Sequence, residues 1–309
     1  MRRKVFTVIA VLAVLALIAV GAVTWLGRPG DAPPPDPAAP TEHAAPDPAP
    51  AQPEWCPQVQ FISAPGTWES APEDDPLNPQ ANPYSFMLSI TDPLREAYDP
   101  GQVLVWTLPY TAQFKNINAD HEMSYDESRA EGMTRLSEEL DHMNQTCPGT
   151  DYILAGFSQG AVIVGDLADQ IGAGLGPVPA DKVRGVALVA DGRRENGVGV
   201  HPGQPLGGIG AEIALEPVNN VIQLVVPGAT MRGIRPHGFG ELADRTFQFC
   251  SPDDSICDAP LDISNAIGRA LDLAAANGIH AQYASNPDVI PGTTTPQWIL
   301  DWAHGLIQR

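Results

Sequence analysis

Basic residues are scarce in this chain of 309 residues. Lysine and arginine together number 17, whereas aspartate and glutamate number 37, which gives a formal net charge of −20. A protein that binds nucleic acid needs a basic surface to neutralise phosphates, so this balance argues against that class of function. The same acidity offers no electrostatic attraction to anionic lipid headgroups. With 43% hydrophobic residues, the chain still has enough apolar side chains for a large core.

Charged side chains are absent from Val5–Leu26, a run of 22 residues that follows the basic start Met1–Lys4. A span of about 20 apolar residues can cross a bilayer as a helix, whereas the apolar region of a cleaved signal peptide has only about 7–15. The run therefore predicts an uncleaved signal anchor within residues 1–28, a single-pass helix with a cytoplasmic N-terminus and an exported remainder. Cleavage of the segment, which would leave a secreted protein, is the alternative.

Apolar periodicity is missing from residues 29–54. Pro29–Pro53 contains ten prolines, several alanines and scattered acids. This composition cannot form a packed core and favours an extended spacer. Residues 55–309 are then the predicted folded domain, which the spacer would hold away from a membrane. The domain has no internal repeat, and we expect it to be monomeric.

Short apolar, β-branched runs alternate with helical patterns along this domain. The runs predict buried strands, and their alternation with helices predicts an α/β fold with a parallel sheet covered on both faces. The predicted strands are Val59–Ser63, Val103–Leu108, Tyr152–Phe157, Val183–Ala190 and Val221–Val226. The predicted helices are Ser124–Asn144, Gly160–Ile171, Ile263–Ala276 and Pro296–Ile307.

One short motif, Gly156-Phe157-Ser158-Gln159-Gly160, carries candidate chemistry. It fits the pattern G-x-S-x-G and lies between a predicted strand and a predicted helix, which is the setting of a nucleophile elbow. The glycines let the chain turn sharply. Ser158 would lie at a helix N-terminus, where free N–H groups favour a developing negative charge. The motif predicts Ser158 as a nucleophile, and a strand–helix turn without chemistry is the alternative.

A serine nucleophile needs a general base, and the base needs an acid that orients it. In a fold of this kind the three follow in the order Ser, Asp, His. The downstream candidates are His201, His237, His280 and His304 for the base, and Asp191, Asp253 and Asp254 for the acid. Asp191 directly follows a predicted strand, but the residues alone leave the choice open.

Cysteine is also rare, with four in the chain, and their spacing does not match a zinc site. In an exported domain they are expected to form disulfides. Cys250 and Cys257 would close a small loop that holds an enclosed aspartate rigidly. Cys56 and Cys147 then pair by elimination. Buried free thiols are the alternative.

Four segments, spread over nearly the whole domain, resemble the cutinase family. They are Pro65-Gly66-Thr67-Trp68-Glu69, Gly156-Phe157-Ser158-Gln159-Gly160, Cys250-x-x-x-Asp254-x-x-Cys257 and His280-Ala281-Gln282-Tyr283. The resemblance implies an α/β-hydrolase fold, a three-layer sandwich with a central parallel sheet of about five strands. It further implies Asp254 as the catalytic acid, His280 as the base, and an oxyanion hole built from the backbone N–H groups of Thr67 and Gln159.

The anchor, the spacer and the long form look like the membrane-anchored cutinase-like proteins of actinobacteria with mycolic-acid envelopes. That resemblance implies a serine esterase of the lipase, phospholipase A or thioesterase kind, which hydrolyses or transfers the acyl groups of lipid esters or thioesters at the cell envelope. It implies no metal and no cofactor. A polysaccharide esterase of the acetyl type, and a non-catalytic envelope-binding protein on a hydrolase scaffold, are the alternatives.

Two long segments, Gly192–Pro217 and Gly228–Asp244, depart from the compact core of that family. The first is rich in glycine, and both lie between the last predicted strands and the expected catalytic loop. Long loops in such positions often carry function. We expect them to form part of an acyl-binding wall, a lid or only a surface loop.

Overall fold

The computed structural model of the chain describes residues 52–265, 267–269, 271 and 278–309. Within these residues, five strands form a single parallel sheet. They are β1 (Val59–Ala64), β2 (Val103–Thr107), β3 (Asp151–Phe157), β4 (Val183–Val189) and β5 (Thr246–Phe249). Their order across the sheet is β2-β1-β3-β4-β5. The predicted α/β fold with a sheet of about five strands is therefore confirmed.

Helices cover both faces of the sheet, which is why every residue of β1 is buried. One face packs against α2 (Tyr125–Thr146) and α3 (Gln159–Gly172), and the other against α1 (Leu88–Ala97) and α6 (Thr295–Ile307). Two shorter helices follow β4, namely α4 (Ala211–Ala214) and α5 (Asn219–Val225). Short 3₁₀ turns lie at Ala180–Lys182, Glu216–Val218, Gly240–Arg245 and His280–Gln282.

The start of α2 shows how local sequence sets an element. The hydroxyl of Ser124 accepts a hydrogen bond from the backbone N–H of Glu127, and the Glu127 carboxylate accepts one from the backbone N–H of Ser124. This reciprocal capping satisfies two N–H groups that have no acceptor inside the helix. The helix therefore begins where the pattern predicted it.

One predicted strand, Val221–Val226, is wrong, because this segment belongs to α5. Ile222 and Val226 are buried four residues apart, whereas Leu224 between them is 83% exposed. A strand with one buried face would bury all three positions, so this burial has the helical period. The fifth strand is Thr246–Phe249 instead, a run of four residues with a polar Thr-x-Gln pattern that hid it. The other four predicted strands are confirmed.

Three predicted helices, Ser124–Asn144, Gly160–Ile171 and Pro296–Ile307, are confirmed to within two residues as α2, α3 and α6. The predicted helix Ile263–Ala276 lies partly outside the described residues. The predicted anchor lies entirely outside them, as does the predicted spacer except for its last three residues. In the described part of the chain, no helix has the length and apolar character needed to span a bilayer. The domain boundary at residue 55 stays a prediction.

Candidate active site

Ser158 occupies the tight turn between β3 and α3. Its backbone has a φ of 53° and a ψ of −117°, a conformation that costs free energy for a residue with a side chain. The flanking glycines allow this turn. A Cβ on Gly156 would lie 2.4 Å from the carbonyl oxygen of Gly160, and a Cβ on Gly160 would lie 2.0 Å from that of Ala64. The two glycines thus let β1, β3 and α3 approach so closely that the serine is presented at the carboxyl end of the sheet.

The hydroxyl of Ser158 is the first member of a hydrogen-bonded chain. Its Oγ lies 2.9 Å from Nε2 of His280. Nδ1 of the same ring lies 3.0 Å from Oδ2 and 3.2 Å from Oδ1 of Asp254. The imidazole stacks on the ring of Phe157, with centroids 5.3 Å apart and an interplanar angle of 23°. The structure therefore brings together the serine, histidine and aspartate that the resemblance selected.

Asp254 is fully buried, and each of its oxygens has a donor besides the imidazole. The backbone N–H of Ile256 donates to Oδ1 at 2.9 Å, and the hydroxyl of Tyr283 donates to Oδ2 at 2.7 Å. Burial raises the pKa of Asp254, but the hydrogen bonds from His280, Ile256 and Tyr283 outweigh burial and bring the pKa below its ordinary value. The carboxylate is thus held charged beside the imidazole, as an orienting acid must be.

The predicted disulfides, Cys250–Cys257 and Cys56–Cys147, are both confirmed. The first closes the loop that contains Asp254. The second joins the residues before β1 to the end of α2, which lies just before β3. One disulfide therefore belongs to the site, and the other ties the beginning of the domain to its centre.

The two expected oxyanion-hole residues line the same cavity as Ser158. Gln159 is the first residue of α3, where backbone N–H groups have no acceptor within the helix. Its side chain points elsewhere, since its Oε1 accepts a hydrogen bond from the hydroxyl of Tyr110 at 3.3 Å. Thr67 lies in the loop after β1. Both positions suit the stabilisation of a developing oxyanion by backbone donors.

Glu69 fixes the loop that carries Thr67. Its carboxylate accepts hydrogen bonds from the backbone N–H of Gly66 at 3.2 Å, the hydroxyl of Ser85 at 2.9 Å and the backbone N–H of Phe86 at 3.2 Å. Burial raises the pKa of Glu69 above its ordinary value, although these three donors oppose the rise. The loop after β1 is thereby bound to the segment that leads into α1.

A cavity of about 490 Å³ opens beside Ser158. Its lining is mainly apolar and includes Phe114, Tyr125, Val162, Ala211, Met231 and Ile256. Ala211 belongs to the segment Gly192–Pro217 and Met231 to Gly228–Asp244, so both segments contribute to the cavity wall. Two exposed rings, those of Trp68 and Tyr84, also line the cavity, with exposed fractions of 52% and 91%.

An ionic network ties this wall to α3. The carboxylate of Asp166, on α3, is surrounded by the guanidinium groups of Arg193 at 2.9 Å, Arg235 at 3.0 Å and Arg232. Burial raises the pKa of Asp166, but the three positive charges outweigh it and lower the pKa to about 2. The three arginines come from the two long segments, so the carboxylate holds these segments against the helix.

Glu212 extends the network to the cavity itself, which it lines. Its carboxylate pairs with Arg232 at 2.8 Å and accepts a hydrogen bond from the hydroxyl of Tyr125 at 2.7 Å. The residue is only 4% exposed. The mainly apolar lining of the cavity therefore includes one carboxylate, and the oxygens of this carboxylate already accept hydrogen bonds from Arg232 and Tyr125.

Asp191, a candidate acid in the sequence, has a different partner. Its carboxylate receives two hydrogen bonds from Arg235, at 2.6 Å and 3.1 Å, and it is 1% exposed. Among the candidate histidines, His304 places its Nδ1 2.6 Å from the hydroxyl of Tyr98, the residue that directly follows α1. These two residues are thus engaged in other contacts, whereas His280 lies within hydrogen-bond distance of both Ser158 and Asp254.

The sequence profile of the family described as Cutinase matches residues 55–286. The chain belongs to the cutinase family. It is 59% identical to a carboxylesterase Culp6 homolog from Corynebacterium glutamicum, over 99% of both chains. Two solved structures are also similar. An acetylxylan esterase is 18% identical, with a TM-score of 0.48 over 82% of this chain and 99% of that one. A cutinase-like protein from Cryptococcus sp. is 20% identical, with a TM-score of 0.48 over 83% and 98%.

Two residues of this cutinase-family site, Glu69 and Tyr283, had no role assigned from the sequence. Both stand inside segments that carry the family resemblance, two residues after Thr67 and three after His280. That spacing was the available signal. It was not enough because the contacts join distant parts of the chain, such as Tyr283 with Asp254 and Glu69 with Ser85.

Proposed function

We propose that this cutinase-family protein is a serine ester hydrolase that acts on lipid esters or thioesters. The observation that carries the proposal is the hydrogen-bonded chain Ser158–His280–Asp254 beside a mainly apolar cavity. Membership of the cutinase family and 59% identity with a carboxylesterase support the ester-hydrolase part.

In the first half of the proposed reaction, Oγ of Ser158 attacks the ester carbonyl carbon while Nε2 of His280 takes its proton. The negative charge that develops on the carbonyl oxygen is stabilised by the backbone N–H groups of Thr67 and Gln159. The imidazolium then gives its proton to the departing alcohol or thiol. The acyl group is left covalently attached to Ser158.

In the second half, His280 takes a proton from water, and the resulting hydroxide attacks the carbonyl carbon of the acyl-enzyme. As the bond between this carbon and Oγ of Ser158 breaks, the imidazolium returns its proton to Oγ, which releases the acid and restores the serine. A second alcohol in place of water would give acyl transfer. Asp254 keeps the proton of the imidazole on Nδ1, so that Nε2 is free to act as the base, and it stabilises the imidazolium.

The acyl group is proposed to lie against the apolar wall of the cavity, to which α3 and the two long segments contribute. Apolar walls favour an alkyl chain over a polar group. Met231 lines this wall, and a larger ring in its place should leave less room for the acyl group, so Met231→Trp should shift the preferred substrate to shorter acyl chains. Leu224→Trp is the matched control, since that residue is 83% exposed and does not line the cavity. The measurement is kcat/KM over a series of nitrophenyl esters of increasing chain length.

Replacing the nucleophile tests the proposal directly. Ser158→Ala should remove essentially all esterase activity while leaving the fold intact, because the hydroxyl that is proposed to form the acyl-enzyme is lost. A fluorophosphonate probe should label the native chain at Ser158 and should not label the variant. More than a few per cent of residual activity in a verified variant would exclude Ser158. Absence of labelling in the native chain would favour a non-catalytic envelope-binding protein.

A polysaccharide esterase of the acetyl type is the second candidate. The exposed rings of Trp68 and Tyr84 at the cavity favour it, because aromatic faces are suitable surfaces for sugars and other amphipathic ligands. The series of nitrophenyl esters separates the two candidates. A steep preference for acetyl over longer esters would support the polysaccharide esterase and contradict the lipid proposal.

The proposed place of action is the cell envelope, with residues 1–28 as a single-pass membrane anchor. The uncharged run Val5–Leu26 after three basic residues supports this. The full chain should then sediment with membranes and resist extraction by high salt. Recovery of a soluble exported form whose N-terminus begins after residue 26 would show signal cleavage instead.

A further inference from the structure

The buried phenol of Tyr283 has no part in the reaction described above, yet it contacts the catalytic acid. Its hydroxyl donates to Oδ2 of Asp254 at 2.7 Å and accepts a hydrogen bond from the backbone N–H of Ser251 at 2.9 Å. It also lies 3.2 Å from Sγ of Cys257. The side chain is only 1% exposed, so water does not compete for these contacts.

The hydrogen bonds fix the carboxylate of Asp254 from two sides. The N–H of Ile256 holds Oδ1, and the phenol of Tyr283 holds Oδ2. A rotation of the carboxylate about its Cβ–Cγ bond would break both. With both in place, the two oxygens stay at 3.0 Å and 3.2 Å from Nδ1 of His280.

We propose that Tyr283 is a positioning residue, which acts through Asp254 to set both the orientation and the basicity of His280. This inference rests on the proposed ester-hydrolase function. The phenol orients the carboxylate, and its O–H dipole offsets part of the negative charge that the imidazole experiences.

Removal of the phenol O–H should change the pH dependence of the reaction in a definite direction. Without this donor, the carboxylate of Asp254 presents more negative charge to the ring, which favours the protonated imidazole. Protonated imidazole cannot take the proton of Ser158, so the acid limb of kcat/KM against pH should move to higher pH. Among the described residues, Glu69, from the loop after β1, interacts electrostatically with His280, and Arg194, from the loop after β4, interacts with Tyr283. Tyr283→Phe leaves both in place.

A matched control exists in the sheet. Tyr152 on β3 is also fully buried, and its hydroxyl has no hydrogen-bond partner in the described part of the chain. It does not line the cavity. Tyr152→Phe therefore removes the same atom at the same burial without touching the site.

The experiment compares the detergent-solubilised full chain with its Tyr283→Phe and Tyr152→Phe variants. One measurement is kcat/KM for a nitrophenyl ester over roughly pH 5 to 9, the range in which an imidazole titrates. The other is an NMR titration of the histidine rings, with His280 assigned from a His280→Gln variant. In Tyr283→Phe, kcat should fall about tenfold, as for the loss of one hydrogen bond to a charged group. The acid limb and the NMR midpoint should both rise, and Tyr152→Phe should change neither.

An unchanged NMR midpoint in Tyr283→Phe would overturn the inference, whether or not the chain shows esterase activity. A lower kcat with an unmoved acid limb would also overturn it, since that result indicates a merely structural role. If the native chain lacks esterase activity but the midpoint still moves, the proposed function fails and the positioning role stands. Should Tyr283→Phe not fold, 3-fluorotyrosine at position 283 keeps the hydrogen bond and donates more strongly. The midpoint should then fall, and a rise or no change would refute the inference.

Discussion

Two aspartates of this chain, Asp191 and Asp254, show how partners decide the role of a residue. Both are buried and both lie in turns that follow a strand. Asp191 is bound by the guanidinium of Arg235, whereas Asp254 is bound by an imidazole, a phenol and a backbone N–H. A guanidinium cannot give up its proton at any ordinary pH, so the first pair is a fixed charge pair and the second can work in proton transfer.

Replacing each of the two aspartates by asparagine should therefore affect different properties, turnover for Asp254 and stability for Asp191. Asp254→Asn should lower kcat by about 10⁴-fold, because the amide no longer holds the proton on Nδ1 of His280. Asp191→Asn should keep turnover near normal and lower the free energy of unfolding by about 2 kcal/mol, because it weakens the hydrogen bonds to one of the two carboxylates that pair with the buried guanidinium of Arg235. Steady-state kinetics and urea unfolding of both variants check this. The reverse ranking of the two turnover losses would show that Asp254 is not the acid.

At the scale of elements, the site is assembled from short connecting segments at the carboxyl ends of the strands. The turn after β3 carries Ser158, the loop after β1 carries Thr67, and the disulfide loop after β5 carries Asp254. A parallel sheet brings these ends to one edge, which is where ligands bind in open α/β folds. The connecting segments themselves need further constraints. Glu69 provides them for the loop after β1, and the Cys250–Cys257 bond provides them for the loop after β5.

The two disulfides should have opposite effects when removed. Replacing Cys250 and Cys257 by serine should cut turnover strongly, because Asp254 then loses the closed loop that holds it within reach of His280. The stability loss should be the smaller one, about 2.5 kcal/mol at most for so short a loop. Turnover measured in the cold and the melting temperature are the two readouts.

Replacing Cys56 and Cys147 by serine is the matched comparison. That disulfide spans 91 residues and lies outside the site, so its loss should lower stability by up to about 4.6 kcal/mol and leave turnover in the cold near normal. If the Cys250 and Cys257 double variant kept native turnover, packing alone would be holding the catalytic acid, and the disulfide would have no positioning role.

At the scale of the whole domain, the basic side chains are unevenly distributed. The chain has a net charge of −20, yet four of its 17 basic side chains pair with the single carboxylate of Asp166, namely Arg129, Arg193, Arg232 and Arg235. Burial of these groups is tolerable because each charge has partners. The result is a link between α3, which begins directly after Ser158, and the two segments that contribute to the cavity wall. The stability of the cavity wall and the stability of α3 are therefore coupled.

Because the network lowers the pKa of Asp166, the stability of the fold should decrease at acidic pH. The pKa of Asp166 is about 2 in the folded chain against an ordinary value of 3.8. The unfolded chain thus takes up a proton first as the pH falls, so the contribution is complete above about pH 4 and is lost towards pH 2. Its size is about 2 kcal/mol. Urea unfolding at several pH values should show this loss in the native chain.

Asp166→Asn should be less stable than the native chain near pH 5 and should show a flatter decline below pH 4. The control is Asp301→Asn, an exposed carboxylate on α6 that removes one charge without touching the network. An acid dependence in Asp166→Asn equal to that of the native chain would assign the loss to other carboxylates.

The sequence by itself determined the elements whose signals are local. Four strands were set by continuous apolar runs, the start of α2 by the capping pair Ser124 and Glu127, and the turn at Ser158 by its two glycines. Each signal depends on residues within a few positions of one another, so the printed sequence contains it completely. The choice of His280 and Asp254 needed the family resemblance as well, since spacing alone left several histidines and aspartates equal.

Only the tertiary structure decided which distant residues meet. It made residues 219–225 a helix, because burial of Ile222 and Val226 against neighbouring segments outweighed their β-branched composition. It paired Asp191 with Arg235, 44 positions away, and Tyr283 with Asp254, 29 positions away. Local periodicity carries no information about such pairs, because their contact depends on how the connecting chain packs. The cavity wall and the partners of Asp254 other than His280 are for that reason properties of the fold.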